Sequence, residues 1–188
     1  MKTVQILGMA DNLSATPTVL GAERWCSNAP RSYRIKWPAA LDTYTRWFNM
    51  HSKRHMLKAY PTGYAWYAKQ TKPIYLQEAQ PDIPASIEFP KAKVMDYFAI
   101  NGEPMTYFTC SLTWFMALAI MEGFERIELW GFRLARDHQY DFERPCVSYW
   151  VEVARSRGIE VYIPPPIEFG EPGDPLTYDG PLYGFMTT

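Results

Sequence analysis

Small or polar residues flank several apolar segments of this sequence, in positions where they could contact a ligand. In chain order they are Gly8, Asn12, Asn28, His51, Thr109, Ser111 and Gly131. If the apolar segments are strands of one parallel sheet, these residues share an edge, because ligands bind beyond the carboxyl ends of such strands, near the point where strand order reverses. The sequence therefore predicts a ligand site at that edge.

A long apolar run after residue 110 is the second feature that could bind a ligand. It predicts a buried helix from about Ser111 to Glu122, ended by Gly123. The N–H groups at the start of such a helix, together with the hydroxyls of Thr109 and Ser111, favour an anion. The alternative interpretation is that one of these hydroxyls is only an N-cap, which contributes about 1 kcal/mol.

Two histidines and a tyrosine are candidates for moving protons at this edge. His51 ends a predicted strand, and His138 and Tyr140 lie in the polar segment after Gly131. Imidazole titrates near neutrality, so His51 and His138 are candidate general acids or bases, although either could be an ordinary surface or capping histidine. His51 and His55 are four residues apart, but no HExxH motif or third ligand accompanies them, so we predict no metal site.

Several classes of function are poorly supported by the sequence. The loop "GMADNL" has one glycine where the dinucleotide fingerprint needs three, and it lacks the second glycine and the Lys-Ser/Thr pair of a P-loop. The net charge of −1 and the absence of a long basic run argue against duplex nucleic acid as the partner.

The cysteines and the hydropathy pattern indicate where the protein resides. Three widely spaced cysteines, with no CxxC motif and no secretory signal, predict reduced thiols and a cytoplasmic protein. The longest run without a charge, 112–121, is about half of the roughly 20 residues that a bilayer requires. We therefore expect no association with a membrane.

These residues would be positioned by alternating strands and helices. Apolar strand-like segments occur near residues 2–7, 24–27, 44–51, 73–78, 126–130 and 159–163. Between them lie helix-like segments, including a last helix predicted to begin at 143–145 and to end at Gly158. The alternation predicts a single Rossmann-like α/β domain over residues 1–163, with a mostly parallel sheet covered by helices on both faces.

The C-terminal segment, residues 164–188, has a different composition. It contains six prolines and four glycines, which disfavour regular structure. We predict an irregular arm that packs on the domain or on a partner subunit, and hence a possible route to a homo-oligomer.

Three segments resemble motifs of known protein families. The segments "ILGMADNL", "ERWCSN" and "YFTCSLTWFMALAIMEGFERIELWGFRL" fall in the order and approximate spacing of motifs shared by two Rossmann-like groups. These groups are the bacterial sialyltransferases that carry a "GNGPSL" loop and the MptE-like 6-hydroxymethylpterin diphosphokinases. The chain also resembles a family of small phage-encoded proteins of this class.

The resemblance implies roles for individual residues. By position it implies nucleotide contacts at Gly8, Asn12, Asn28, Thr109 and Ser111. It further implies that His138 and Tyr140, in the segment after Gly131, serve the acceptor. The chain departs from the sialyltransferase pattern at Ala10, where the loop has its second glycine, and at Arg133, where that family has an acidic residue.

The resemblance and the residues together predict a nucleotide- or nucleotide-sugar-binding transferase of glycosyltransferase type, encoded by a phage and located in the cytoplasm of its bacterial host. One alternative is a phage protein that binds or sequesters a nucleotide-derived ligand without catalysis, which the departures at Ala10 and Arg133 favour. A second alternative is a pyrophosphokinase-like transferase. No cofactor follows from the residues, and magnesium is the one that the resemblance leaves open.

Overall fold

The structure of the protein, a computed structural model, describes residues 1–27, 41–132, 140–165 and 170–185. Within these ranges a seven-stranded sheet has the order β5-β4-β3-β2-β1-β6-β7, and all of its strand pairs are parallel. The strands are β1 (Thr3–Leu7), β2 (Glu23–Ser27), β3 (Arg46–Asn49), β4 (Ile74–Leu76), β5 (Ser86–Glu88), β6 (Arg126–Trp130) and β7 (Glu160–Tyr162). The predicted α/β Rossmann-like fold is confirmed.

Helices cover both faces of this sheet. They are α1 (Lys53–Ala59), α2 (Pro61–Tyr67), α3 (Lys91–Tyr97), α4 (Ser111–Met121) and α5 (Tyr140–Ser156), with a short 3-10 helix at Asp11–Ala15. One buried cluster joins alternate strand residues such as Val4 and Ile6 to α4 and α5, and a second joins Leu7 and Trp47 to α1 and α2. None of the described helices is both long and apolar enough to cross a membrane.

The start of α5 differs from the prediction. The sequence placed Pro145 in the first turn, whereas the helix begins at Tyr140 and has Pro145 in its interior. Pro145 has no N–H to donate to the carbonyl of Asp141, four residues earlier. Proline is tolerated there because Asp141 is exposed, so water can bond that carbonyl instead. Tyr140 therefore belongs to a helix, and the expectation that it lies in a polar loop is wrong.

The strand order reverses between β1 and β6, and two glycines meet there. Gly8 follows β1 and Gly131 follows β6. The N–H of Gly8 donates to the carbonyl of Trp130 at 2.7 Å, and the N–H of Ala10 donates to the carbonyl of Gly131 at 2.7 Å. A Cβ atom at Gly8 would lie 2.3 Å from the oxygen of Gly131. Neither position has room for a side chain, so this close approach of two backbones requires glycine.

A row of buried polar side chains crosses the three central strands. Gln5 is in register with Arg24 on β2 and with Glu128 on β6. Arg24 Nε donates to Gln5 Oε1 at 2.9 Å, and Gln5 Nε2 donates to Glu128 Oε2 at 2.9 Å. Burial acts to raise the pKa of Glu128, but hydrogen bonds from Gln5, Trp130 and Arg126 hold this pKa below its usual value. The polar side chains in this row therefore satisfy one another.

The arm packs on the body of its own chain. In residues 170–185, the N–H of Gly173 donates to the carbonyl of Pro145 at 2.9 Å. Ser148 Oγ donates to the carbonyl of Gly170 at 2.7 Å. Both contacts join the arm to α5, near the edge of the sheet where the ligand site is predicted. A role for the arm in joining subunits stays a prediction.

The contact between the glycines can be tested with a matched pair of substitutions. Gly131 and Gly123 both have positive φ, +74° and +71°, but a Cβ at Gly131 lies 2.7 Å from the oxygen of Gly8 whereas one at Gly123 meets nothing within 4 Å. Both alanine variants bear the strain of a left-handed backbone. We expect Gly131→Ala to lower the free energy of unfolding by about 1–3 kcal/mol more than Gly123→Ala, measured by urea denaturation. Equal losses in the two variants would contradict a tight contact.

Candidate active site at the start of α4

The first turn of α4 lies at the carboxyl edge of the sheet. The helix leads into β6 and therefore runs antiparallel to it, which places its start beyond the carboxyl ends of the strands. Cys110 occupies the N-cap with extended backbone (φ −154°, ψ 169°), and its side chain makes no capping hydrogen bond. Thr109 precedes the cap and Ser111 follows it, so the interpretation that either residue is the N-cap is wrong.

The thiol of Cys110 is not a nucleophile. Burial raises its pKa well above the usual value, and Glu143 and Cys146 raise it further. The N–H groups of Leu112 and Thr113 act in the opposite direction but do not offset burial. Because the thiolate is the reactive form, Cys110 is an inert, protonated group at neutral pH.

Thr109 holds a polar atom that the fold does not satisfy. Its hydroxyl oxygen is buried and has no nitrogen or oxygen partner among the described residues. The hydroxyl is a neighbour of Cys146, because it opposes the rise in the pKa of that thiol, which burial brings to about 11. Sulfur is a weak partner, and Cys146 Sγ donates to the carbonyl of Tyr107 at 3.3 Å. A buried hydroxyl without a strong partner costs about 1–3 kcal/mol.

The arm brings Tyr183 to the start of α4. The N–H of Tyr183 donates to the carbonyl of Phe108 at 3.0 Å, and its carbonyl accepts from Trp114 Nε1 at 3.1 Å. The next residue, Gly184, is also held closely, since a Cβ there would lie 2.6 Å from the carbonyl oxygen of Met50. These contacts fix Tyr183 between α4 and the segment that follows β3.

The phenol of Tyr183 is a hydrogen-bond donor. Burial raises its pKa to about 12, although a hydrogen bond with the hydroxyl of Ser111 acts to lower it. The carboxylate of Glu143 is close enough to raise this pKa as well. Tyr183 therefore keeps its proton at neutral pH and, with Ser111, forms a pair of hydroxyls beside the first turn of α4.

His51 lies next to Tyr183. The strand β3 ends at Asn49, so His51 falls two residues beyond it, and its N–H donates to Asn49 Oδ1 at 3.0 Å. The ring centroids of His51 and Tyr183 are 6.2 Å apart, and those of His51 and His55 are 4.6 Å apart. Burial and then the neighbouring His55 lower the pKa of His51 to about 4. His51 is therefore neutral at pH 7 but weakly basic.

A cavity adjoins this group of residues. It has a volume of about 540 Å³ and lies between the segment before α4, the first turn of α5 and the arm, with Tyr107, Thr109 and Tyr183 in its wall. Cavities that hold small molecules measure about 300–1,000 Å³. A ligand of that size would contact the side chains of Thr109 and Tyr183.

The structure thus brings together three of the predicted site residues: His51, Thr109 and Ser111. Gly8 and Gly131 instead contact each other, and the N–H groups of Gly8 and Ala10 are already bonded to the β6 segment. Those two N–H groups cannot also bind a phosphate while these bonds persist. A ligand contact at Gly8 or Gly131 stays a prediction.

Four predicted site residues lie wholly or partly outside the described residues. Asn28 and His138 lie outside them entirely. The backbone of Asn12 belongs to the 3-10 helix, and Tyr140 is the first residue of α5, but their side chains are not among the described groups. Their roles stay predictions.

The sequence does not reveal the part that Tyr183 and Glu143 play. It predicts only that the arm, to which Tyr183 belongs, packs on the domain or on a partner subunit, and it indicates no role for Glu143. A signal for Tyr183 was present, because a tyrosine followed by Gly184 in an irregular segment is compatible with close backbone contact. No spacing rule connects Glu143 to Cys110, since the two residues meet only through the packing of α5 against α4.

Within the ranges that the structure describes, no three His, Cys, Asp or Glu side chains converge where a metal ion could bind. A requirement for magnesium stays a prediction of the resemblance.

Comparison with known proteins shows the fold that the chain shares. No family model matches the chain, and no curated protein matches it significantly. Two solved structures of the sialyltransferase CstII from Campylobacter jejuni are similar to it. The complex with the substrate analogue cytidine-5'-monophosphate is 16% identical, with a TM-score of 0.53 over 88% of this chain and 80% of that chain. The complex with CMP-3FNeuAc is 14% identical, with a TM-score of 0.55 over 96% and 89%.

The low pKa of His51 has a measurable signature. We expect its imidazole to titrate near pH 4 in a histidine-selective NMR experiment. Replacing His55 by Ala removes a positive charge and should raise the pKa of His51, yet leave it below the ordinary value of about 6.5 because burial is the larger cause. A wild-type midpoint near 6.5 would contradict the burial of this ring.

The lowered pKa of His51 also predicts how the free energy of unfolding depends on pH. The pKa of His51 is lower in the folded state than in the unfolded chain, so the unfolded chain binds more protons between pH 6.5 and 4. We expect the free energy of unfolding to fall as the pH drops through this window, and to fall less steeply in His51→Gln. Equal slopes for wild type and variant in urea denaturation would show that His51 does not titrate in this way.

Proposed function

We propose that the protein binds a nucleotide or nucleotide sugar at the start of α4 and transfers the sugar to a hydroxyl acceptor. The observation that carries this proposal is the convergence of the first turn of α4, the Ser111 and Tyr183 hydroxyls and the neutral ring of His51. They meet at the edge where ligands bind in open parallel sheets. The fold shared with a sialyltransferase that binds CMP supports the same class of ligand.

The phosphate of the donor would bind at the first turn of α4. The N–H groups there carry the positive end of the helix dipole. Those of Leu112 and Thr113 face the thiol of Cys110, a weak partner that a phosphate would replace. The hydroxyls of Ser111 and Tyr183 bond each other and so leave one O–H free to donate to the phosphate. Because α4 is buried along nine consecutive residues, Leu112–Ile120, its first turn is held rigidly against the sheet. The carboxylate of Glu143 opposes the phosphate, so these donors must outweigh it.

In the transfer step, the acceptor oxygen forms a bond to the anomeric carbon of the sugar while the bond from that carbon to the phosphate oxygen breaks. The electron pair of the broken bond leaves with the nucleotide phosphate, and Tyr183 stabilises that charge by hydrogen bonding. The proton of the acceptor hydroxyl passes to His51. A phosphate bound nearby would raise the pKa of His51 toward neutrality and make it a stronger base.

A ligand-binding protein without catalysis is the second candidate. The pKa of His51, about 4, favours it because a general base works best when its pKa lies near the working pH. The two candidates share the same phosphate site and differ only in what His51 does there.

Nucleotide binding can be tested with hydroxyl deletions. Calorimetry with CMP, UDP, GDP, ADP and their sugar conjugates, with and without Mg²⁺, should find a ligand whose affinity falls roughly 2- to 10-fold in Tyr183→Phe, as expected for one lost hydrogen bond of about 0.5–1.5 kcal/mol. Tyr97→Phe is the control, since Tyr97 is an exposed residue of α3 and is not among the described residues of the cavity wall. If neither variant changes the affinity for the nucleotide, Tyr183 does not contact it and the proposed position of the site is wrong.

His51→Gln separates the two candidate functions. If the protein is a transferase, this variant should keep nucleotide affinity within about twofold and lose transfer of the sugar. A wild-type protein that binds the nucleotide sugar but produces no transfer product with any hydroxyl acceptor would support the non-catalytic candidate.

A further inference from the structure

Two carboxylates face the cavity beside α4 from the side of the arm. The described residues of its wall include Asp174 and Asp179 but no Lys, Arg or His. Their charges reach the tyrosines of the wall. Asp174 contributes to the raised pKa of Tyr107, about 12, and Asp179 to the raised pKa of Tyr178, in both cases behind burial. The arm therefore gives this cavity a negative potential.

The wall also carries groups that can bond hydroxyls. The hydroxyl of Thr177 donates to the carbonyl of Asp174 at 3.3 Å and keeps its acceptor lone pairs for a ligand. Asp174 Oδ1 accepts from the N–H of Leu176 at 2.9 Å, which leaves most of the acceptor capacity of its carboxylate unused. Hydrogen bonds from a hydroxyl to a carboxylate are among the strong ones.

Aromatic rings supply the apolar part of the same cavity. The rings of Tyr178 and Tyr107 pack together with centroids 4.9 Å apart, and Phe142 stands at the cavity with 76% of its surface exposed. Apolar and aromatic side chains commonly line the cavities that bind small molecules. Apolar rings beside carboxylates and hydroxyls match a ligand with an apolar ring face and a hydroxyl rim.

We propose that this cavity, the arm pocket, binds a hydroxyl-bearing ligand of carbohydrate type that carries no negative charge, and that Asp174 and Asp179 reject anionic ligands. The arm pocket is defined by Thr109, Phe142, Asp174, Thr177, Tyr178 and Asp179. Like charges placed together weaken binding, whereas a neutral or amine-bearing sugar meets no such repulsion. Its use as the acceptor site rests on the proposed transfer reaction, but the binding preference does not.

The preference can be measured with sugars that differ in charge. The probes are the methyl glycosides of glucose and galactose, their 2-amino counterparts and the corresponding uronates, titrated up to about 100 mM into the full chain. The readout is the methyl signals of Thr109 and Thr177 in carbon-resolved NMR. From these shifts, we expect the dissociation constant of a neutral or amino sugar to be at least tenfold lower than that of the uronate with the same ring.

Removing the carboxylates should remove the discrimination. In D174N/D179N, we expect the affinity for the uronate to rise at least fivefold while the affinity for the neutral sugar stays within twofold. Asp96→Asn is the matched control for Asp179→Asn alone, because each deletes one carboxylate charge and Asp96 lies at an exposed position on α3, outside the arm pocket. If the double variant loses its fold, Asp179→Asn alone serves, since Asp174 holds the arm through its bond to Leu176.

Two results would overturn the proposal. In the first, no probe shifts the two threonine signals. In the second, the uronates bind with the same dissociation constants as the neutral sugars. Either result leaves the nucleotide titrations with Tyr183→Phe unaffected. Conversely, a failure to bind any nucleotide would rule out the proposed transfer reaction. It would leave the preference of the arm pocket for neutral over anionic sugars unchanged.

Discussion

The contact between the backbones of Gly8 and Gly131 is the constraint on which the rest of the structure depends. It joins the ends of β1 and β6, the two strands between which the strand order reverses, with no side chain between them. Since α4 leads directly into β6, holding the end of this strand also limits where α4 can lie. Gly8 and Gly131 therefore help to position the candidate site, although they contact each other and are not known to contact a ligand.

The buried length of α4 explains why an almost wholly apolar helix precedes a short strand. Its sides pack between the sheet, α5 and the arm, so that its polar start is the part left to meet a ligand. The groups around that start come from distant parts of the chain. His51 follows β3, Glu143 belongs to α5, and Tyr183 belongs to the arm. The site exists only when these elements are packed.

The sequence predicts most of the helices and strands, but it does not predict which side chains meet at the candidate site. Strands such as β1 and β6 are short apolar runs that end at glycine, and α4 is apolar throughout, so local patterns identify them. The start of α5 was placed about one turn too late because Pro145 resembles a first-turn proline. Tyr183 could not be placed beside Ser111, because the irregular arm has no periodicity that records what it packs against.

The polar row of Gln5, Arg24 and Glu128 has a consequence for how the chain avoids wrong structures. Seven short parallel strands could be arranged in many orders, and most of their side chains are interchangeable apolar groups. If β1 slipped by one residue, Gln5 would turn to the opposite face, and a buried guanidinium and a buried carboxylate would lose the amide between them. The carboxylate of Glu128 would keep Arg126 and Trp130 as partners, but each buried hydrogen bond lost with the amide is destabilising. The row thus favours the one register in which β1 lies between β2 and β6 with Gln5 facing both charged side chains, and it disfavours sheets assembled out of register.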